Sequence, residues 1–310
     1  MKTRSLFLRT FLLTVCIISL LPTLTAEAEQ VPQKQSTRSK MIFGPPVNVN
    51  IAGPGSMPEG VLMTGINTSF ADKVTKFGNP SRSPDVFSQA WLLKLRYGIT
   101  DYLEVWTTTP YYHQRRTNPE PTPHTIYGVG DTVLALTFGP WHERRGDPVT
   151  ISGSVGLWLP MAAWGDDNPP GLGVLGFRGQ AAVGKFVTKD IKVETEGVWS
   201  TRFARGNQEV RLGDQFQWNS QIRYLFDHFD IGVESSMVWQ FSSDRYISGR
   251  GTRDLRNGYT EWFVGPSVNV AIEPLGMWAG IGAFFPVMRY TDSPTKVENV
   301  RFEFKIAKLW

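Results

Sequence analysis

The sequence predicts an all-β protein in which about twelve antiparallel strands run up and down and close into one transmembrane barrel. Three observations predict this. Apolar and polar residues alternate with a period of two in segment after segment, which puts the two sets on opposite faces of extended strands. Mean hydropathy is only −0.21, and beyond the first residues no apolar stretch reaches helix-spanning length. A barrel tolerates that value because only every second strand residue faces lipid. Finally, the connections between alternating segments are by turns long and short.

Residues 1–28 read as a secretory signal. Lys2, Arg4 and Arg9 form a basic start, Phe11 to Leu13 and Val15 to Leu21 an apolar core, and Ala26-Glu27-Ala28 a small-x-small cleavage site. The mature chain is expected to begin at Glu29. The apolar run is too short for an anchor helix, and Pro22 interrupts it. Cys16 lies in this segment. Val15 stands where a lipoprotein site carries a small residue, so signal removal would leave no cysteine and no disulfide. Residues 29–59, with Pro45-Pro46 and Gly53-Pro54-Gly55, read as an irregular segment lying in the periplasm or inside the barrel.

Residues 60–310 form the barrel domain. Its expected strands are 60–70, 87–97, 103–112, 129–138, 149–160, 174–187, 191–203, 214–226, 229–242, 259–272, 276–289 and 299–310. In the eighth, Phe216, Trp218, Ile222, Tyr224 and Phe226 alternate with Gln215, Gln217, Asn219, Gln221 and Arg223. In the ninth, Ile231, Val233, Met237, Trp239 and Phe241 alternate with Asp230, Glu234, Ser236 and Gln240. Asp227-His228 supply the tight turn between them.

The long connections are 71–86, 113–128, 161–173, 204–213, 243–258 and 290–298. The short ones centre on Gly98-Ile99-Thr100-Asp101, Thr188-Lys189-Asp190, Asp227-His228 and Glu273-Pro274-Leu275, with 139–148 as a longer exception. Short periplasmic turns and longer outer loops are the habit of outer-membrane barrels. A soluble sandwich has no reason to sort loop lengths by parity. Aromatic rings favour membrane interfaces. Tyr97, Tyr102, Phe138, Trp141, Phe226, Phe229 and Trp310 are expected near the periplasmic one. Tyr111, Tyr112, Trp158, Phe203, Phe241, Tyr259 and Trp262 are expected near the outer one.

In the last strand Val300, Phe302, Phe304, Ile306 and Trp310 share one parity and Arg301, Glu303 and Lys305 the other. It resembles the C-terminal strand of bacterial outer-membrane barrels, in which a terminal aromatic marks the chain for the assembly machinery. That resemblance makes Phe302, Phe304, Ile306 and Trp310 the expected assembly signal. Lys308 departs from it, standing where such strands carry an apolar residue. Further segments, in order, resemble a family of outer-membrane transporters labelled as part of the meta-pathway of phenol degradation. They are 95–104 (Leu-Arg-Tyr-Gly-Ile-Thr-Asp-Tyr-Leu-Glu), Pro110-Tyr111, Gly128-Val129-Gly130-Asp131-Thr132, Gly213-Asp214-Gln215-Phe216, 229–234 (Phe-Asp-Ile-Gly-Val-Glu), Gly265-Pro266 and 301–305. The resemblance implies a barrel and transport of small compounds, aromatic or hydrophobic ones among them.

The expected pore lining is Lys94, Arg96, Glu104, Glu194, Glu196, Gln217, Asn219, Gln221, Arg223, Glu234, Arg301, Glu303 and Lys305. Centring the 98–102 turn sets Arg96 opposite Glu104. Centring 227–228 sets Gln221 opposite Glu234, with Arg223 diagonal to Asp230 and Glu234, and cross-strand neighbours at such spacing pair. Two readings stay open: a selectivity-setting pore, or a salt-bridged core that shuts the barrel. At about twelve strands the barrel lies between a filled one and an open porin. Arg115 and Arg116, with Arg245, Arg250, Arg253 and Arg256, form two outer-loop basic sets, and guanidinium forks match the phosphates of lipopolysaccharide.

Other chemistry finds little support. The letters of a dinucleotide fingerprint occur at Gly171, Gly173 and Gly176, but an alternating strand follows instead of a helix. His113, His124, His142 and His228 offer no metal-ligand spacing. His142-Glu143-Arg144 and His113-Gln114-Arg115 lack the serine a membrane hydrolase would need. No cofactor, metal or enzymatic activity is expected. The formal charge of +4 falls to +2 once a signal carrying Lys2, Arg4, Arg9 and Glu27 is removed, too little for nucleic-acid binding. The reading is a passive channel in a bacterial outer membrane, contacting lipid, lipopolysaccharide and a small solute. A closed barrel with a structural role is the alternative, and a membrane hydrolase a more distant one.

Overall fold

The computed structural model describes residues 53–75, 86–116, 124–162, 171, 173–205, 210–247, 251–254, 258–291 and 296–310. The expected signal, with Cys16, and residues 29–52 lie outside them.

Sixteen strands occur among the described residues: β1 Leu62–Thr75, β2 Val86–Gly98, β3 Leu103–Arg116, β4 His124–Val129, β5 Thr132–Trp141, β6 Thr150–Leu159, β7 Gly176–Phe186, β8 Ile191–Arg202, β9 Val210–Arg211, β10 Gln215–Leu225, β11 Phe229–Gln240, β12 Asp244–Ile247, β13 Gly251–Asp254, β14 Tyr259–Ile272, β15 Met277–Thr291 and β16 Lys296–Leu309. β4 and β5 pair with successive stretches of β3, so they act as one strand interrupted at Gly130-Asp131. Counted so, twelve strands follow one another around a ring, each antiparallel to the next. The ring closes where β1 meets β16, with Met63 facing Leu309 and Phe70 facing Phe302. Trp310 N donates to Leu62 O across that seam at 2.9 Å. Closure leaves no free sheet edge, as a sheet must in lipid.

The two faces are inverted relative to a water-soluble protein. Glu104 and Glu234 are fully buried, whereas Ile66 is 50% exposed and Leu93 47%. In the barrel strands the outward parity is mainly apolar and forms a belt, whereas the inward parity is mainly polar, with Met63, Phe263, Trp278 and Phe284 as buried apolar members. Among the described residues no helix is long and apolar enough to cross a membrane.

Several expectations need correction. The connection 113–128 is largely strand, since β3 runs on to Arg116 and β4 pairs with it. Connections 204–213 and 243–258 carry the small sheet β13-β12-β9, tied by Arg205 Nη2 donating to Asp244 Oδ1 and Thr252 Oγ1. Tyr112 and Trp158 line the lumen instead of the outer girdle, and Tyr259 shares the parity of buried Phe263 and Ser267. A ring one residue out of phase with its lipid-facing neighbour points the other way. Tyr111, Phe203, Phe241 and Trp262 are exposed, as are all seven aromatics expected at the opposite rim. In the β2–β3 hairpin Gly98 faces Glu104 and Arg96 faces Trp106, two residues off the expected register. The turn centres on Asp101, because Ile99 N and Thr100 N both donate to Leu103 O. A shift of two preserves the face, so Arg96 reaches Glu104 diagonally.

Candidate functional site

The site is built on strands whose inward parity is polar. β10 and β11 pair with Gln221 opposite Glu234 and Arg223 opposite Gly232. Arg223 lies diagonal to both acids and forms ion pairs with Asp230 and Glu234. Its Nε donates to Gln221 Oε1 at 2.9 Å, and Ser267 Oγ donates to Glu234 at 2.6 Å. Asn269 Nδ2 donates to Asp230 at 2.8 Å. On β8, Lys192 and Gln221 both hold Glu194. On β16, Arg301 bridges Glu298 at 2.6 Å and Glu303 at 3.5 Å. Lys305 is buried on the same face, its Nζ without a hydrogen bond.

A second group gathers where the N-terminal residues reach the lumen wall. Arg96 Nε donates to Glu104 Oε1 at 2.5 Å and its Nη2 to Oε2 at 3.0 Å. Glu104 Oε2 also accepts from Met57 N at 2.7 Å, and Arg96 Nη2 donates to Gly55 O at 3.2 Å. Gly53 N donates to Glu196 Oε2 at 3.1 Å, beside Gln180 Nε2 at 2.9 Å, while Asn219 Nδ2 donates to Oε1 at 2.8 Å. Gly55 N donates to Ser152 Oγ at 3.2 Å. Met57 packs against Met63, Trp278 and Ala307, the apolar cluster inside the short-turn end. Two glycines allow this approach. A Cβ on Gly98 would stand 1.9 Å from Pro58 O, and one on Gly184 2.7 Å from the Pro54 ring.

The longer turn 139–148 packs beneath this segment. It holds a 3-10 turn, Glu143–Arg145, capped by His142, whose Nδ1 accepts from Arg144 N at 3.0 Å. Arg144 Nη1 reaches Ser56 O at 3.4 Å, and Glu143 Oε1 accepts from Phe186 N at 2.7 Å. Burial, with Arg144, Lys192 and Arg145 nearby, lowers the His142 pKa to about 3. Burial likewise raises the Glu143 carboxyl. The extra length of this turn is thus used in contacts with residues 53–57 and the rim.

Above the N-terminal segment the barrel encloses a cavity of ≈ 320 Å³. Gly53 and Gly55 form its floor. Lys94, Arg96, Arg178, Gln180, Gln215 and Gln217 line it together with Trp106, Tyr112, Trp158, Leu92 and Val133. Of the residues expected to line a pore, Lys94, Arg96 and Gln217 border this cavity, and the others are buried on the lumen wall, all but Lys305 in hydrogen bonds or ion pairs. Arg178, Trp106, Tyr112 and Trp158 were not singled out as lumen residues. Their period-two phase carried the signal: Trp106 shares parity with Glu104, and Arg178 with Gln180.

Among solved structures the chain is similar to an outer-membrane channel from Pseudomonas putida F1, with a TM-score of 0.68 at 14% identity over 83% of this chain and 97% of that one. This is the fold of an outer-membrane β-barrel. Lower similarity is found to the NanC porin (TM-score 0.47, 9% identity, 79% of this chain and 98% of that one). The translocator domain of the autotransporter NalP from Neisseria meningitidis scores 0.46 at 10% identity, over 84% and 90% of the two chains. No protein-family model matches the sequence, and no curated protein matches it. The barrel, with its apolar belt and inverted interior, belongs to a bacterial outer membrane.

Phe302, Phe304, Ile306 and Trp310 are exposed on the belt of β16. Lys308 places its Nζ 3.8 Å from the centre of the Trp310 ring, which accounts for a charge on the lipid-facing parity. Arg115 is exposed at the end of β3. The backbones of Arg116, Arg245 and Arg253 lie in β3, β12 and β13, but their side chains, like all of Arg250 and Arg256, fall outside the described residues. Gly171 and Gly173 pack at Asp131, whose Oδ1 accepts from Gly173 N at 3.2 Å, and Gly176 opens β7; no helix follows.

Proposed function

We propose that this barrel is a passive channel for small molecules, with residues 53–58 narrowing its periplasmic end. The observation that carries this reading is the lumen cavity, lined by polar and aromatic side chains and bordered by Gly53 and Gly55 of the N-terminal segment. Its size falls within the range of small-ligand sites. The Pseudomonas putida protein of the same fold is a channel, which supports the reading. Mixed aromatic and cationic walls suit small aromatic compounds better than sugars or large peptides.

We read the protein as a channel and not an enzyme. His142 is engaged with Arg144, and His228 with Glu273, and neither lines the cavity. The outer-loop arginines 115, 116, 245, 250, 253 and 256 are proposed to meet lipopolysaccharide phosphates. Phe302, Phe304, Ile306 and Trp310 are proposed to present β16 to the barrel assembly machinery. Residues 1–28 are proposed to be a secretory signal and residues 29–59 a periplasmic or lumen segment.

The test is conductance of the refolded chain in a planar bilayer, with heat-shifted gel mobility as the folding check. Discrete current steps are expected, growing when residues 29–58 are removed. A folded protein silent in both forms would establish the closed, structural barrel.

A further inference from the structure

The cavity is unusual in what its polar groups lack. Arg96 is neutralised by Glu104 through two hydrogen bonds. Lys94 and Arg178, which line the same space, have no carboxylate within ion-pair distance among the described residues. Arg178 makes only a long contact to Gln180, Nη2 to Oε1 at 3.4 Å, and its Nε is buried without an acceptor. Trp158 Nε1 is also a buried donor without an acceptor. Glu196, a carboxylate on the same wall, already accepts from Gly53 N, Gln180 and Asn219. The buried atoms without a partner at this cavity are therefore both donors, Arg178 Nε and Trp158 Nε1, beside a lysine ammonium that has no ion pair among the described residues.

Such a set is complemented by a group that only accepts and carries negative charge, which describes a carboxylate. The rest of the wall sets the other half of the ligand. Trp106, Tyr112 and Trp158, with Leu92 and Val133, offer apolar and aromatic surface that a bare inorganic anion would leave unfilled. Arg178 lies 5.9 Å from the centre of the Trp106 ring, so charge and ring surface are side by side.

We propose that the lumen cavity is a binding site for a single-ring aromatic carboxylate, with Lys94 and Arg178 taking the carboxylate and Trp106, Tyr112 and Trp158 framing the ring. The proposal rests on the channel reading and names its solute class.

The experiment is calorimetric titration of the full chain, refolded in detergent, with benzoate, benzamide, phenol and inorganic phosphate. Benzoate is expected to bind at least tenfold more tightly than each of the others. Lys94→Met and Arg178→Met should each weaken benzoate by about tenfold, while Lys94→Arg retains it; gel mobility confirms folding in every case. Equal binding of benzoate and benzamide would overturn the proposal, as would unchanged affinity in Lys94→Met. Phosphate binding as tightly as benzoate would also overturn it, leaving a general anion site. Bilayer recordings separate the two readings. Benzoate binding in a barrel that never conducts would sink the channel and keep the site. A conducting barrel indifferent to benzoate would keep the channel and sink the site.

Discussion

The backbone N–H of Met57 donates to Glu104 Oε2 at 2.7 Å, on a carboxylate that also takes two hydrogen bonds from Arg96. One buried acid thus holds both a strand-borne arginine and the N-terminal segment. Removing it by Glu104→Ala strands Arg96 in the lumen. Breaking a buried pair costs about 3–5 kcal/mol, so the urea midpoint of the refolded barrel should fall markedly, and conductance of the folded fraction should rise.

Gly98 lets the N-terminal segment lie directly against the wall. Gly60 N donates to Gly98 O at 2.9 Å and Gly98 N to Val61 O at 3.1 Å, and there is no room there for a Cβ. Gly98→Ala should displace residues 58–60 while the barrel still folds. Larger current steps with normal heat-shifted mobility are the expected result; unchanged steps would mean that these residues do not narrow the path.

Arg223 and Glu234 are nearly fully buried and paired with each other, and neither borders the cavity. Arg223→Ala or Glu234→Ala should therefore lower stability, by the same order as Glu104→Ala, without changing ion selectivity. Lys94→Met, at the cavity surface, should reduce anion preference with little loss of stability. Reversal potentials in a salt gradient, measured beside urea midpoints, distinguish the two effects.

His142 links the rim to pH. Its folded pKa of about 3 lies below the ordinary imidazole value of 6.5. The unfolded chain therefore binds a proton through this window that the folded chain refuses, and stability falls as pH drops from about 6.5 toward 3. Glu143, raised by burial, acts in the opposite sense. Comparing urea midpoints at pH 7 and pH 5 for the parent and His142→Gln isolates the histidine: the variant should lose less stability on acidification.

Trp310 Nε1 donates to Thr64 Oγ1 at 3.0 Å across the β1–β16 seam, on an indole that also lies under the Lys308 ammonium. Trp310→Ala should lower the amount of barrel reaching the outer membrane in cells. Refolding in detergent should change little, because the surrounding ladder is intact.

Strand number and facing were legible in the residues because alternation is local. β14 occupies Tyr259–Ile272, the range expected from periodicity alone. Turn-centred registers were less secure. The 227–228 turn sets Gln221 against Glu234 as expected, whereas the pairing across the 98–102 turn is displaced by two residues. The small sheet of β9, β12 and β13 escaped notice because two- and four-residue strands carry too little pattern.

By itself the sequence determined a twelve-stranded barrel, an apolar outside and a charged inside, since a period of two commits each side chain to one face. Only the tertiary structure decided which charges meet. Gly53 and Glu196 are 143 residues apart, and Met57 and Glu104 are 47 apart. Closure of the ring brings distant strands and the N-terminal segment into one narrow lumen. The partners there follow from curvature and from chain crossing the lumen, neither of which leaves a periodic trace in any one strand.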